Sequence, residues 1–287
     1  MIAIYQKELK SYFNNLFGYL YIAIVLLFMG IFATYYHFEN MSGDISYSLS
    51  NLALVVLLVT PLLTMRIIAE ERQKKTDQLL YSLPISITST VIGKYLAMVT
   101  VYLVPMLVIG IYPLVMATLG TVNLLRSFGV IFAFFLMGAC LLAIGMFISA
   151  LTENQIISAI LSFVVMLVIY FADAIAGMVP ATAMGSFVAL AIAAILLGVI
   201  VYVMVKNYIV ALSVTAFFEV VLAIVYKVKS SFFEGLVSDI VGWLSVYGRV
   251  TNFYNGIFDI RAIVYFLSVI SLFVFLSIQA VEKRRYS

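Results

Sequence analysis

From Phe17 to Tyr36 the chain reads FGYLYIAIVLLFMGIFATYY, twenty positions without Asp, Glu, Lys or Arg. At about 1.5 Å per residue, a helical run of this length spans roughly 30 Å, the thickness of a bilayer's hydrocarbon core. Similar runs recur at about 51–68, 95–118, 127–150, 156–175, 186–205, 208–226 and 262–281, eight spans in all. Hydrocarbon offers no partner for backbone polar groups, so spans of this kind must be helices, and the expected class is an all-α polytopic membrane protein. Composition agrees, since 65% of residues are hydrophobic and 10% charged, far from soluble averages. A secretory signal would be one short apolar segment before a soluble body, so the first run is expected to stay in the membrane. Lys206 and Asn207 leave so short a turn that the sixth and seventh spans should form a tight hairpin.

Basic residues near span ends set orientation. With both termini cytoplasmic, the inner set is Lys7, Lys10, Arg66, Arg72, Lys74, Lys75, Lys94, Lys206, Lys283, Arg284 and Arg285, against Arg126, Lys227, Lys229, Arg249 and Arg261 outside. The first outer loop, HFENMSGDISYS, has two acids and no Lys or Arg, which supports the same orientation. Residues 1–15 place Ile2, Tyr5, Leu9, Tyr12 and Phe13 at helical spacing, the pattern of a helix lying in the inner interface. Residues 230–259 form a second amphipathic stretch, with Phe233, Leu236, Val237, Ile240, Leu244 and Tyr247 opposed to Glu234, Ser238, Asp239 and Ser245. The single tryptophan, Trp243, lies in it and suits an outer interfacial or re-entrant helix.

Residues 66–77, RIIAEERQKKTD, crowd seven charged residues into twelve positions directly after an apolar run. The stretch 66–83 lacks Gly and Pro, and Pro84 should end a short helix. Leu79, Leu80 and Leu83 give it an apolar edge behind a charged front of Glu70, Glu71, Arg72, Lys74, Lys75 and Asp77. Glu70 with Lys74, and Glu71 with Lys75, are spaced four apart, which favours the helix. On charge pattern alone, a solvated positive-inside connector is the commoner explanation of such a loop.

The run EERQKKTDQLLYSLPISITSTVIGKYLA resembles the coupling-loop region of type-2 ATP-binding-cassette (ABC) exporter permeases. There an acidic-basic stretch leads into a Thr-acid-x-Leu-Leu element, a Pro, and a Gly-Lys opening the third span. Here these are Thr76, Asp77, Leu79, Leu80, Pro84, Gly93 and Lys94, with Lys75 where the family commonly has Gly. KELKSYFNNLFGYLYIAIVLLFMGIFA is similar to the family's amino-terminal elbow helix and first span. NFYNGIFDIRAIVYFLSVISLFVFLSIQAVEKRR resembles the carboxy-terminal end of its gliding-motility-type branch. The resemblance implies a single permease domain over 1–287: an elbow helix at 1–15, a cytoplasmic coupling loop at 69–90, and a six-span core. The hairpin at about 186–226 would be a two-span addition, and 230–259 the outer re-entrant segment. It also implies two copies of a separate ATPase subunit that the coupling helix docks into, and a second permease chain, identical or paralogous. The ATPase-coupling set would be Glu70, Glu71, Arg72, Lys74, Lys75, Thr76, Asp77, Leu79, Leu80 and Pro84.

No G-x-x-x-x-G-K-[ST] occurs, so ATP hydrolysis is expected in the partner rather than in this chain. No catalytic residue, metal site or cofactor is expected. One histidine cannot supply H-E-x-x-H, an intramembrane aspartyl site needs two Asp where only Asp173 qualifies, and a lone cysteine, Cys140, forms no internal disulfide. The modest net charge of +3 and the membrane class point to lipid rather than nucleic acid as a partner. Glu219, in the middle of the seventh span, is a candidate functional acid, because carboxylates in hydrocarbon are costly. Asp173 is expected at a hydrated outer interface and His37 in a hydrated loop. Pro61, Pro105 and Pro113 are expected to bend their spans. An ion-gradient-driven transporter and a non-transporting membrane scaffold are the alternative functions, and nothing in the residues selects a substrate.

Overall fold

The computed structural model describes residues 1–40, 42–76, 86–178, 180–205 and 208–285, and every regular element among them is helical. In chain order the helices are α1 (Ile2–Asn14), α2 (Leu16–Ala33, continued by a π-helical turn Thr34–Glu39), α3 (Ser46–Ile67), α4 (Ala69–Gln73), α5 (Ile87–Ile109) and α6 (Ile111–Leu119). There follow α7 (Leu124–Leu151), α8 (Gln155–Met178), α9 (Ala183–Val205), α10 (Tyr208–Val228), a 3₁₀ turn Ser230–Phe233, α11 (Leu236–Leu244), α12 (Gly248–Tyr254) and α13 (Ile260–Arg285). Among the described residues, six helical stretches are long and apolar enough to cross a membrane: Leu16–Glu39, Ser46–Ile67, Ile87–Leu119, Leu124–Leu151, Gln155–Ile175 and Ile260–Arg284. Ala183–Val199 is a shorter apolar helix.

The chain divides into two compact units, Met1–Val168 with Arg249–Ser287, and Ile169–Gly248. In the first, α7 and α3 are the core: 83% and 72% of their apolar windows are buried, against 28% for α2 and 17% for α13. The outer helices keep broad apolar faces that this unit leaves uncovered. Lipid tails are as apolar as leucine, so contacts among spans must come from close packing and hydrogen bonds. Gly145 lets α7 approach α3 so closely that an added Cβ would overlap Thr64. Tyr95 and Tyr102, two turns apart on α5, donate to the α7 carbonyls of Ala139 (3.0 Å) and Phe134 (2.9 Å).

Proline does not end every helix it enters. Pro61 and Pro105 lie inside α3 and α5 without ending them. The third span breaks instead at Gly110, and Pro113 falls in the first turn of α6, where its missing N–H has no intrahelical partner to lose. His37 is also not a hydrated loop residue. It sits on the π-helical turn, buried, with Nδ1 2.5 Å from the Ser42 carbonyl and Nε2 3.0 Å from Ser48 Oγ. The carbonyl can only accept, so Nδ1 carries the proton in the neutral ring and the Ser48 hydroxyl donates to Nε2.

In the second unit α9 and α10 pack as an antiparallel pair, with Thr215 filling the space beside Gly198. The amphipathic stretch after them is broken rather than continuous. Gly235 takes φ +73°, a left-handed conformation suited to glycine, and its N–H donates to the Ala181 carbonyl (3.0 Å). Phe233 is buried against Phe187 and Tyr226, whereas Trp243 on α11 is exposed, as an interfacial anchor would be. Asp173 is exposed and accepts from Ser245 Oγ at 2.6 Å.

Candidate functional site

Where α3 ends, the charged stretch does not form the single helix its composition suggests. Ile68 leaves helical geometry (φ −125°, ψ −43°), and a new helix, α4, runs only from Ala69 to Gln73. The break frees backbone groups that must find other partners. Ser149, near the end of α7, supplies them: its hydroxyl accepts from the N–H groups of Ile68 (3.3 Å) and Ala69 (3.0 Å) and donates to the Met65 carbonyl (3.4 Å). Arg72 reaches back from α4, donating to the carbonyls of Ala150 and Thr152 (3.5 Å for the latter). A cation is favourable at these unpaired carbonyls at the end of α7.

The α4 helix stops in a Schellman turn. Lys75 N–H donates to the Arg72 carbonyl (3.0 Å), and Thr76 N–H to the Glu71 carbonyl (2.9 Å). Lys75 takes φ +57° to close it, the one non-glycine positive φ among the described residues. The helix therefore ends before the Glu71–Lys75 pair can form, and the turn at Lys74–Thr76 interrupts the continuous helix expected over this stretch. Asp77, Leu79, Leu80 and Pro84 lie outside the described residues. The Glu70–Lys74 pair does form, at 2.7 Å. Glu70 also receives a bidentate contact from Arg66 (2.6 and 3.1 Å), whose guanidinium lies 4.4 Å from the Phe17 ring centroid.

Glu71 turns inward to Lys94. Lys94 is 2% exposed, and its ammonium meets Glu71 Oε2 at 2.9 Å, Glu8 Oε1 at 3.0 Å and the Ile67 carbonyl at 2.8 Å. An ammonium has three N–H donors, and here each has an acceptor. The third acceptor is available because the α3 break leaves that carbonyl without its helical partner. Lys7 closes the group, 3.0 Å from Glu71 Oε1 and 3.5 Å from Glu8 Oε1. Two carboxylates and two ammoniums thus form a neutral cluster. A lone buried ammonium would cost several kcal/mol, and only this degree of pairing offsets it.

Three elements contribute to the cluster: α1 through Lys7 and Glu8, α4 through Glu71, and α5 through Lys94. Gly93 makes the meeting possible, since a Cβ there would press on the Met1 carbonyl and Ile4 of α1. Tyr12 adds a fourth link by donating to the Leu63 carbonyl of α3 at 2.7 Å. Burial opposes the charge on Glu71, yet Lys94 first and Lys7 second outweigh it and hold the carboxyl below its usual range. Glu70 is likewise held low against burial, by Arg66 and Lys74. Burial opposes the charge on Lys7 as well, and Glu71 with Glu8 raises its pKa despite it.

The ten residues of the expected coupling set therefore divide. Glu71 and Arg72 face the bundle, Glu70 is half-buried, and Lys74, Lys75 and Thr76 are exposed. The charged front expected to face outward is thus narrower than the pattern of charges implies. Glu8 was absent from that set. The buried stripe of α1 is Ile4, Glu8 and Tyr12, while the apolar positions that define its amphipathic face include Ile2, which is 69% exposed. A carboxylate at the four-residue spacing between Ile4 and Tyr12 was the available signal. Glu219 on α10 is half-buried, with Oε1 buried and without a hydrogen-bond partner among the described residues.

In comparison with known families, the profile of the family described as ABC-2 family transporter protein matches residues 34–226. The matched region takes in α3, α4, Lys94 and both helices of the α9–α10 pair, and leaves out α1 and α13. No curated protein matches the chain.

Proposed function

Because the chain belongs to the ABC-2 family of transporter proteins, we propose that it is the permease subunit of an ABC exporter, driven by ATP hydrolysis on a separate subunit. It lies in the cytoplasmic membrane with both termini and α4 on the cytoplasmic side. Two copies of the ATPase serve it together with a second permease chain, identical or paralogous. The hairpin α9–α10 adds two spans to a six-span core, and the resemblance of the carboxy-terminal end supports membership of the gliding-motility-type branch. The outward residues Lys74, Lys75 and Thr76, continued by Asp77, Leu79, Leu80 and Pro84, form the surface that docks in the ATPase.

One observation carries this reading: Lys94 holds α1, α4 and α5 together through two carboxylates and a freed carbonyl. A partner can shift a conformational equilibrium only by binding its two states differently. Movement imposed on α4 is passed to the elbow helix and the third span, because separating them strands buried charges. Arg72 and Ser149 pass it equally to the end of α7. The test is affinity purification of the tagged chain from its native membrane, identification of co-purifying subunits, and an ATPase assay on the complex. Reversing charge at Glu71 and Lys74 together lowers ATPase coupling if the reading holds, whereas wild-type activity in that variant sinks it.

The buried Oε1 of Glu219, without a hydrogen-bond partner among the described residues, favours a second reading, a gradient-driven transporter. Under it Glu219→Gln abolishes transport in vesicles energised by a proton gradient, with no ATPase subunit co-purifying.

A further inference from the structure

At the end of the first unit opposite the Lys94 cluster, four cavities adjoin in series, each sharing lining residues with the next. A cavity of about 430 Å³ lies between the first turns of α7 and residues 253–258, walled by Phe128, Phe132, Phe253 and Phe258. It shares Asn123 and Arg126 with a polar cavity of about 330 Å³ lined by Asp44, Thr121 and Ser127. That one shares Ser42, Gly43 and Thr121 with a further cavity of about 430 Å³, which leads past His37 and Phe38 to an apolar pocket of about 190 Å³ walled by Val108, Ile111 and Val115. The sequence of environments is therefore apolar, polar, apolar. The larger members are in the range of roughly 300–1,000 Å³ typical of ligand sites.

Arg126 stands at the polar centre. One guanidinium nitrogen is 2.7 Å from Asp44 Oδ2 and 2.5 Å from the Tyr254 carbonyl. Its Nε is buried and has no hydrogen-bond partner among the described residues. Gly256, at φ +81°, gives the side chain room, since a Cβ there would lie 3.3 Å from Nε. The centre thus offers a cation with donor capacity unused, beside a carboxylate.

We propose that this chain of cavities binds a diacyl phospholipid with a zwitterionic headgroup. The phosphate lies on Arg126, the headgroup ammonium on Asp44, and the acyl chains run into the phenylalanine-walled cavity and the pocket beside Val108 and Ile111. The complementarity is that of two charges in the order cation, anion, flanked by apolar space where spans end. Aromatic rings are at home at that depth. Arginine matches phosphate geometry better than any other side chain.

The test uses the full chain in nanodiscs of phosphatidylglycerol, which lacks the headgroup ammonium, doped with a phosphatidylethanolamine carrying a diazirine in one acyl chain, with the matching diazirine diacylglycerol in parallel. After irradiation, labelled peptides are mapped. The expected result is labelling concentrated on the first turns of α7 and on residues 253–258, about tenfold above the lipid-facing side of α2 for the phospholipid. The diacylglycerol shows no such preference. Arg126→Gln removes the preference, but Arg126 also holds neighbouring segments, so Gly129→Phe is the companion variant. Gly129 lines the large cavity and an added Cβ meets nothing within 4 Å, so a side chain can be introduced there beside the cavity. Equal labelling by the two probes, unchanged labelling in monodisperse Gly129→Phe, or displacement of the phospholipid by excess inorganic phosphate overturns the proposal. No ATPase subunit or ATP is present, so a negative result leaves the permease reading as it stands.

Discussion

Lys94 and Glu71 are joined at 2.9 Å, although they lie 23 positions apart in the chain. The contact ties the start of the third span to the short helix after the second, and through Glu8 to the amino-terminal helix.

Breaking this group on one side strands charge. Lys94→Met leaves Glu8 and Glu71 facing each other in a site with little water, and the expected loss is about 3–5 kcal/mol of stability. Replacing all three, Lys94→Met with Glu8→Gln and Glu71→Gln, removes the stranded charges and recovers most of that loss. Thermal unfolding of the purified chain in nanodiscs compares the two.

The cluster also sets a pH dependence. Glu71 and Glu70 have folded pKa values below their ordinary ones, so they contribute stability that is fully present above the unfolded carboxylate pKa, about 4.3. That contribution is lost as pH falls through the lower folded values. Lys7 has a raised pKa, and its contribution is present below about 10.4 and lost as pH rises beyond it. The unfolding temperature should therefore fall on acidification below about pH 5, less steeply in Glu71→Gln. An identical slope in that variant removes Glu71 as the source.

Lys75 closes the α4 turn in a left-handed conformation that costs an ordinary residue roughly 1–2 kcal/mol. Lys75→Gly should slow hydrogen exchange at the Thr76 N–H, whose bond to the Glu71 carbonyl completes the turn. Lys75→Val should speed it, because β-branching makes positive φ still less favourable.

Ser149→Ala removes the acceptor shared by the Ile68 and Ala69 N–H groups in a buried site. The expected cost is about 1–3 kcal/mol. Thermal unfolding measures it, and Ser149→Thr, which keeps the hydroxyl, separates the hydrogen bonds from packing.

Much of this was legible in the sequence. Apolar runs reported six of the eight expected spans as helices long and apolar enough to cross a membrane among the described residues, because bilayer thickness fixes the length of helix that crosses it. Glu70 and Lys74, four apart within one helix, reported their own contact. The Lys94 cluster was not legible. Glu8 and Lys94 lie 86 positions apart, and no local pattern encodes a meeting that depends on α1 packing across Gly93. Ser149 reads as one more residue of an apolar run, and only the break at Ile68 gives its hydroxyl two partners. The end of α4 left a trace in the resemblance to type-2 permeases, which sets Lys75 at a position expected to be glycine, the residue that best tolerates the φ of +57° found there.

The claim at the centre is that motion of an ATPase subunit enters the membrane through α4 and is passed on by Glu71 and Lys94. The most direct test measures ATPase stimulation in the purified complex for Glu71→Gln, Lys94→Met and the double variant, with co-purification of the ATPase subunit scored alongside. The expected result is an ATPase that still co-purifies, stimulation lowered about tenfold by either single change, and a double variant no worse than the singles, as residues acting as one unit behave. Wild-type stimulation in either single variant, or losses that simply multiply in the double, would contradict it.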